Sequence, residues 1–316
     1  YFSNDRSCHF EIEIMIDNKN IFLKKKILIY GLGKSGISSY KFLKNKAKAY
    51  LFDDDPKKKF KHRTKQWISD INKISKNKFD IIIISPGIDI LNCKLSKFLK
   101  KNKSKIFTDL DVFYSFNQNK SITITGTNGK STTAKILHDV LLDQNYDCRL
   151  IGNIGNPALS EKKITKNTVF VIEASSYQLD YSQLFTSKYS AILNISSDHI
   201  ERHRNLKNYI NAKFKLLNSQ SRDSMAFVKK NDLLINRKLK SKKYNPKIIR
   251  VDLKKANKII KQLKNKYFLS SGNLENLSFV LKISETLKLN SKEIIKTLNR
   301  FKGLKYRQQI IYENKI

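Results

Sequence analysis

The sequence predicts an α/β protein with two parallel-sheet domains, and three observations carry that expectation. Short apolar runs alternate with helix-like stretches along the 316 residues, which is the pattern of parallel strands wrapped by helices. Lys26-Ile27-Leu28-Ile29-Tyr30 runs into the turn Gly31-Leu32-Gly33-Lys34-Ser35-Gly36 and then a helical pattern through Phe42 and Leu43. The same order of strand, glycine loop and helix recurs at Ser121–Thr125, Gly126-Thr127-Asn128-Gly129 and Lys130 onward. These features predict a Rossmann-like amino-terminal domain at 21–118, followed by a central domain at 119–303 with a phosphate-loop-type, mostly parallel sheet. Residues 1–20 are expected to be an extra segment, because Met15 stands just before the first strong strand.

Each element follows from its local pattern. A second strand ends at Leu51-Phe52 and enters Asp53-Asp54-Asp55-Pro56, and the run Ile81–Ile84 enters Ser85-Pro86-Gly87. A helix-like stretch near 110–116 and the polar Asn117-Gln118-Asn119-Lys120 set the domain boundary. Beyond it, apolar runs predict strands at 168–173, 189–195, 225–228 and 248–251, and periodicity predicts helices at 205–217, 273–287 and 291–299. No solenoid-type repeat is present.

Composition excludes several classes. Lys plus Arg number 63 against 27 for Asp plus Glu, a formal charge of +36. That excess would suit a nucleic-acid partner, yet the lysines spread along almost the whole chain and only Lys57-Lys58-Lys59-Phe60-Lys61-His62-Arg63 is dense. The excess reads as solvated helix faces, and nucleic acid is not expected as a partner. The three cysteines, Cys8, Cys93 and Cys148, lack a paired spacing, so a reducing, cytoplasmic setting fits better than a disulfide framework or a zinc site. No apolar run approaches the roughly 20 residues of a membrane span.

The motifs point to phosphate chemistry. In Gly126-Thr127-Asn128-Gly129-Lys130-Ser131-Thr132 the glycines let backbone N–H groups and a helix N-terminus face a polyphosphate. Lys130 would bridge the terminal phosphates of ATP, and the Ser131 hydroxyl would hold Mg²⁺. Ile124 stands where the longer phosphate-loop motif has its first glycine. Glu173 and Asp198-His199 follow apolar strands, so they would emerge at the ligand-binding edge of the sheet, where oxygen and nitrogen ligands for Mg²⁺ are expected. Gly31, Gly33, Gly36 and Asp53 satisfy a dinucleotide fingerprint, which taken alone puts NAD first and suits a UDP-sugar as well. Two phosphate-binding loops together suggest a reaction joining ATP to a diphosphate-bearing substrate.

Between Lys25 and Arg307 the ordered motifs GLGKSG (31–36), SPGI (85–88), TGTNGKST (125–132), GNIGNPAL (152–159), EASSYQLD (173–180) and LNISSDHIERH (193–203) resemble the Mur ligase family. The Tyr177-Gln178 pair is closer to its D-glutamate-adding branch than to the diaminopimelate or lysine adders. The resemblance implies ATP-dependent amide formation on UDP-N-acetylmuramoyl-L-alanine through an acyl phosphate, with D-glutamate as the amine; a monomer is expected. It implies that Lys130 and Ser131 hold ATP and a first Mg²⁺ with Glu173, and that His199 serves a second metal. Lys213 matches the lysine that the family carbamoylates to N6-carboxylysine. Gly31, Leu32, Gly33, Lys34, Ser35, Gly36, Asp53, Ser85, Pro86, Gly87, Asn153, Ser175, Gln178 and His199 match the substrate site. Asn276 and Arg307 match the adenine and ribose-phosphate end of ATP.

The chain departs from the family at Gly272-Asn273, where a histidine usually precedes the asparagine, and at Leu304-Lys305-Tyr306-Arg307, which replaces Leu-Pro-His-Arg. Residues 304–316 read as the start of a missing carboxy-terminal domain, so little turnover is expected of this chain alone. The competing readings are a folylpolyglutamate-type ligase, a basic nucleic-acid-binding phosphate-loop protein and an NAD-dependent enzyme.

Overall fold

A computed structural model describes residues 20–58 and 64–304. The expectations for residues 1–19, for Arg307 and for most of the 57–63 basic cluster lie outside the described residues. The chain divides into two compact units. The first runs up to Gln118 and adds Pro157–Lys162 and Tyr181–Phe185; the second holds the remainder from Asn119 onward.

In the first unit, β1 (Lys26–Tyr30), β2 (Lys48–Phe52), β3 (Ile81–Ile84) and β4 (Ile106–Phe107) form a parallel sheet of order β2-β1-β3-β4. All four isoleucines of β3 are buried, as expected for a parallel strand covered on both faces. Leu28, Tyr30, Phe52, Ile82, Ile84 and Leu99 belong to its core. Helix α1 (Lys34–Leu43) follows the first glycine turn, and α2 (Asp109–Phe116) starts from Thr108 with a capping box to Asp111.

The second unit contains β5 (Ser121–Thr125), β6 (Cys148–Gly152), β7 (Val169–Glu173), β8 (Tyr189–Ile192), β9 (Met225–Lys229) and β10 (Lys247–Val251), in the order β10-β9-β8-β5-β7-β6. Every pairing among these strands is parallel. All five residues of β5 are buried. The chain leaves β5 through α3 (Lys130–Leu142) toward the β6 side and later returns to β8 on the other side. This reversal opens a crevice at the carboxyl end of β5, where α/β sheets bind ligands. Helices α4 (Ser176–Tyr181), α5 (Leu206–Asn218), α6 (Ser271–Thr286) and α7 (Ser291–Arg300) follow. Ile122, Leu137, Val171, Phe227, Phe279 and Leu298 join in one core.

The strands at 26–30, 81–84 and 121–125 start and stop where the apolar runs do. The run at 189–195 yields a shorter strand ending at Ile192, because residues 193–196 leave the regular ladder to hold the phosphate loop. Strand β6 was not expected from the sequence: Cys148–Gly152 is an edge strand with three half-buried residues, too mixed to stand out as an apolar run.

Asp111 shows how a buried charge organises the first unit. Its Oδ1 accepts the Ser182 hydroxyl at 2.6 Å and the backbone N–H groups of Gln183, Leu184 and Phe185 at 3.0, 2.7 and 2.9 Å. Oδ2 accepts the Thr108 N–H at 2.7 Å. Donors converging on a fully buried carboxylate are strong hydrogen bonds, and removing the acceptor strands several of them in the interior. Asp111→Ala is expected to cost about 3 kcal/mol or more, read as a lowered denaturation midpoint; a loss within about 0.5 kcal/mol of surface substitutions would contradict the assignment.

Candidate functional site

The loop after β5 is shaped by hydrogen bonds to the chain leaving β8. Thr125 C=O accepts the Leu193 N–H at 3.0 Å, and the Thr127 N–H donates to Asn194 C=O at 3.0 Å. The Asn128 N–H donates to Asn194 Oδ1 at 2.9 Å, and the Ser196 N–H donates to Thr127 Oγ1 at 3.0 Å. The Ile195 N–H is held by Asp232 Oδ2 at 2.9 Å. Gly126 adopts φ +155° and Gly129 φ +81°. At Gly129 a Cβ would stand 2.0 Å from Asn276 Oδ1, so glycine is required both by the left-handed backbone and by the neighbour. Helix α3 then begins at Lys130 and presents its N-terminal N–H groups to the loop, the arrangement that binds phosphates.

Lys130 Nζ donates to Thr127 C=O at 2.6 Å. Lys213, on α5, is 1% exposed, and its Nζ donates to Gly126 C=O at 2.7 Å. The amine also lies 4.4 Å from the centroid of the Tyr209 ring. Burial, reinforced by the Lys130 ammonium and opposed by Asp198, holds the Lys213 amine well below the ordinary lysine range, which favours the neutral, nucleophilic form. Ser131, at the first turn of α3, is buried.

Glu173 ends β7 with 0% exposure. Its Oε1 accepts Asn153 Nδ2 at 3.0 Å, while Oε2 is buried without a hydrogen-bond partner among the described residues. An orphaned carboxylate oxygen is costly unless a donor or cation meets it, so Glu173 fits an oxygen ligand of a Mg²⁺ that keeps water and phosphate ligands. Among the described residues no group of three His, Cys, Asp or Glu side chains could hold a metal ion. His199 adopts φ +54°; its ring is half-exposed, 3.4 Å from Asp198 and 5.0 Å by centroid from Tyr177.

Ser175 and Gln178, assigned by resemblance to substrate, engage each other: Gln178 Oε1 accepts the Ser175 N–H and hydroxyl at 3.1 Å each, and Ser175 Oγ accepts the Gln178 N–H at 3.2 Å. This is the reciprocal pattern of a capping box at the start of α4. Asp53 is likewise occupied, with Oδ2 accepting the Leu32 N–H at 2.5 Å and Oδ1 the Asp55 N–H at 2.9 Å. The acid shapes the glycine turn it was expected to accompany. Ser85 Oγ donates to Gly31 C=O at 2.6 Å, and a Cβ on Gly36 would lie 1.9 Å from the same oxygen, which explains the close turn-to-helix packing. In that turn Leu32 and Gly36 are buried, Gly33 and Lys34 exposed and Ser35 half-buried; Pro86 is half-buried and Gly87 exposed.

A cavity of about 530 Å³ adjoins the phosphate loop, lined by Asn128, Gly129, Thr132, Asn194, Lys229, Asp232, Asn273, Glu275 and Asn276 among others. That volume suits a small-molecule ligand. Sequence reasoning singled out Asn276 but missed Asn194, Lys229 and Glu275, whose role depends on tertiary partners. It also missed His203, which is 4% exposed, stacks on Tyr177 at 5.4 Å and has Nε2 3.0 Å from Ser176 Oγ. Its place inside the quoted motif was the available signal.

The Mur ligase middle domain model matches residues 124–294, and the Mur ligase MurD-like N-terminal domain model matches 25–106. The chain is 33% identical over 313 residues to a UDP-N-acetylmuramoylalanine--D-glutamate ligase of Rickettsia prowazekii (92% of this chain, 70% of the relative). It is 31% identical over 323 residues to the protein of that name in Caldicellulosiruptor saccharolyticus (92% and 70%). Among solved structures it is similar to the UDP-N-acetylmuramate:L-alanyl-gamma-D-glutamyl-meso-diaminopimelate ligase of Neisseria meningitides, at TM-score 0.57 and 13% identity, covering 89% of this chain and 99% of that one. It is also similar to the UDP-N-acetylmuramate-alanine ligase of Thermotoga maritima, at TM-score 0.53 and 17% identity, covering 92% and 71%. The structural likenesses establish the shared fold.

Two outcomes test this geometry. Gly129→Ala is expected to weaken ADP binding about tenfold or more, since left-handed strain of about 1–2 kcal/mol adds to the collision with Asn276; unchanged affinity by calorimetry would contradict it. Burial holds the His203 imidazole below its ordinary value of 6.5, so the unfolded chain takes up the proton first. This contribution to stability is complete above about pH 6.5 and is lost as pH falls from there through the folded-state value. His203→Gln should flatten that part of the stability profile in denaturant titrations.

Proposed function

The chain belongs to the Mur ligase family, and we propose that it joins D-glutamate to UDP-N-acetylmuramoyl-L-alanine at the expense of ATP. The observation that carries the chemistry is the phosphate loop with Lys130 at its helix start and the buried Glu173 and Lys213 nearby. The choice of amino acid rests on the names of the relatives. The folylpolyglutamate, nucleic-acid and NAD readings are not favoured, because the family matches cover both the amino-terminal glycine turn and the phosphate loop. A monomeric, cytoplasmic enzyme is part of the proposal; no helix among the described residues is long and apolar enough to cross a membrane.

A carboxylate resists attack by an amine because its charge repels nucleophiles and oxide is a poor leaving group. In the proposed reaction an oxygen of the alanyl carboxylate attacks the γ-phosphorus of ATP, the bond to the bridging oxygen breaks, and ADP departs. The D-glutamate nitrogen then attacks the acyl carbon, loses a proton, and the collapse of the tetrahedral intermediate releases phosphate and leaves the amide. Lys130 offsets charge on the transferring phosphoryl oxygens, the main task of such sites. Backbone N–H groups of Gly126, Gly129, Ser131 and Thr132 would orient the polyphosphate, while those of Thr127 and Asn128 are committed to Asn194 and hold the loop in shape. Asn276 shapes the nucleotide cavity from the side of Gly129.

When bound, Mg²⁺ would neutralise phosphate charge; Ser131 and Glu173 are the residues to hold it, with His199 and a carbamoylated Lys213 at a second position. Lys213 suits that modification because its buried amine is held toward the neutral form and can attack CO₂, losing a proton to become N6-carboxylysine. In the first unit, the turn of Gly31, Leu32, Gly33, Lys34, Ser35 and Gly36, with Asp53 and Ser85-Pro86-Gly87, is assigned to the UDP-linked substrate. Asn153, Ser175 and Gln178 serve the same substrate by supporting Glu173 and the start of α4.

Parallel calorimetric titrations with UDP-N-acetylmuramoyl-L-alanine, UDP-N-acetylglucosamine and NAD test the substrate class. Preference for the muramoyl compound is expected, whereas preference for NAD would overturn the reading. Lys130→Ala should reduce D-glutamate-dependent phosphate release at least about a hundredfold, and a variant retaining full turnover would remove Lys130 from the chemistry.

A further inference from the structure

Beside the phosphate loop, on the wall of the same cavity, a chain of polar contacts links three separate elements. Lys229, at the end of β9, places Nζ 2.5 Å from Glu275 Oε2. Glu275, early in α6, accepts Asn194 Nδ2 on Oε1 at 2.9 Å. Asn194 in turn accepts the backbone N–H of Asn128 on Oδ1 at 2.9 Å. Neither ionic side chain is far into solvent: 35% of the Lys229 side chain and 18% of that of Glu275 remain exposed.

The direction of this chain follows from donor and acceptor chemistry. An ionised carboxylate can only accept hydrogen bonds, whereas a side-chain amide has one accepting and one donating end. The Glu275 carboxylate accepts from Lys229 on one oxygen and can only accept on the other, so the amide of Asn194 turns its NH₂ toward Glu275. The amide oxygen is thereby left facing the Asn128 N–H. A reversed amide would set NH₂ against N–H at the loop and oxygen against carboxylate at Glu275, two repulsive contacts at once.

We propose that Glu275 is a positioning residue for the phosphate loop: held in place by Lys229, it fixes the amide orientation of Asn194 and through it the conformation of the loop at Asn128. This rests on the reading of the loop as the ATP site. It adds to that reading a residue outside the loop, on the helix that also carries Asn273 and Asn276, whose effect is on phosphate binding and not on the nucleobase. An exposed ion pair that merely stabilises the fold would lower the melting temperature without sorting ligands by their phosphates.

The test compares ADP with adenosine on the whole chain, at fixed ionic strength and fixed magnesium, for the parent and Glu275→Gln. Glutamine keeps the shape but offers an amide of either polarity, so the orientation of Asn194 is no longer dictated. The ratio of ADP to adenosine affinity is expected to fall about tenfold, the effect of one hydrogen bond on a charged ligand's site, any loss for adenosine being the smaller of the two. Amide exchange at Asn128 should accelerate while that at Ile124, inside β5, does not. Lys229→Met, a change at the partly exposed end of the chain, should lower the ratio in the same direction by a smaller factor and serves if Glu275→Gln fails to fold. A preserved ratio in the variants, or an equal loss for both ligands, overturns the role of Glu275 alone. A parent chain with no preference for ADP over adenosine overturns the ATP reading and this proposal with it.

Discussion

The loop that follows β5 has no regular secondary structure of its own between Thr125 and Lys130, and its shape comes from the segment 193–196 laid beside it. Backbone and side-chain hydrogen bonds from Leu193, Asn194 and Ser196 reach Thr125, Thr127 and Asn128, and Asp232 braces the segment at Ile195. A glycine-containing loop loses much conformational entropy on ordering. Because the protein meets that cost during folding, a polyphosphate finds donors already oriented. The left-handed Gly129 under Asn276, the start of α3 and the seat of Lys213 against Gly126 all depend on the same arrangement.

The charges around the loop are consistent with a site built for an anion. Burial, with the Lys130 ammonium close by, disfavours the protonated form of Lys213. Glu173 carries an orphaned oxygen into the same edge of the sheet. Each feature is unfavourable in isolation and becomes reasonable with phosphate, metal or carbamate chemistry, which is where perturbed groups concentrate. The Asp111 cage in the first unit is the contrast: a buried carboxylate whose oxygens both have partners and which serves the fold alone.

Much of the architecture was legible because parallel strands buried on both faces are written as uninterrupted apolar runs; Ile81–Ile84 is the clearest. The edge strand Cys148–Gly152 and the short β4 escaped notice because neither presents such a run. The phosphate loop was legible because its chemistry is local, confined to eight consecutive residues. Asn194, Lys229 and Glu275 were not, since they lie far apart in the chain and acquire meaning only through one another. Asp53, Ser175 and Gln178 show the opposite limit: the residues could be picked out, yet what their side chains hold, a turn and a helix start, is visible only in the folded chain.

The partners of the loop lie 66 to 69 positions further along the chain. Closing contacts of such long sequence separation carries a conformational-entropy cost that local contacts do not. An emerging polypeptide that has completed β5 and α3 but not β8 therefore has the residues of a nucleotide site without its form. The form of the loop is thus a property of the folded sheet as a whole and not of the eight residues that carry its chemistry.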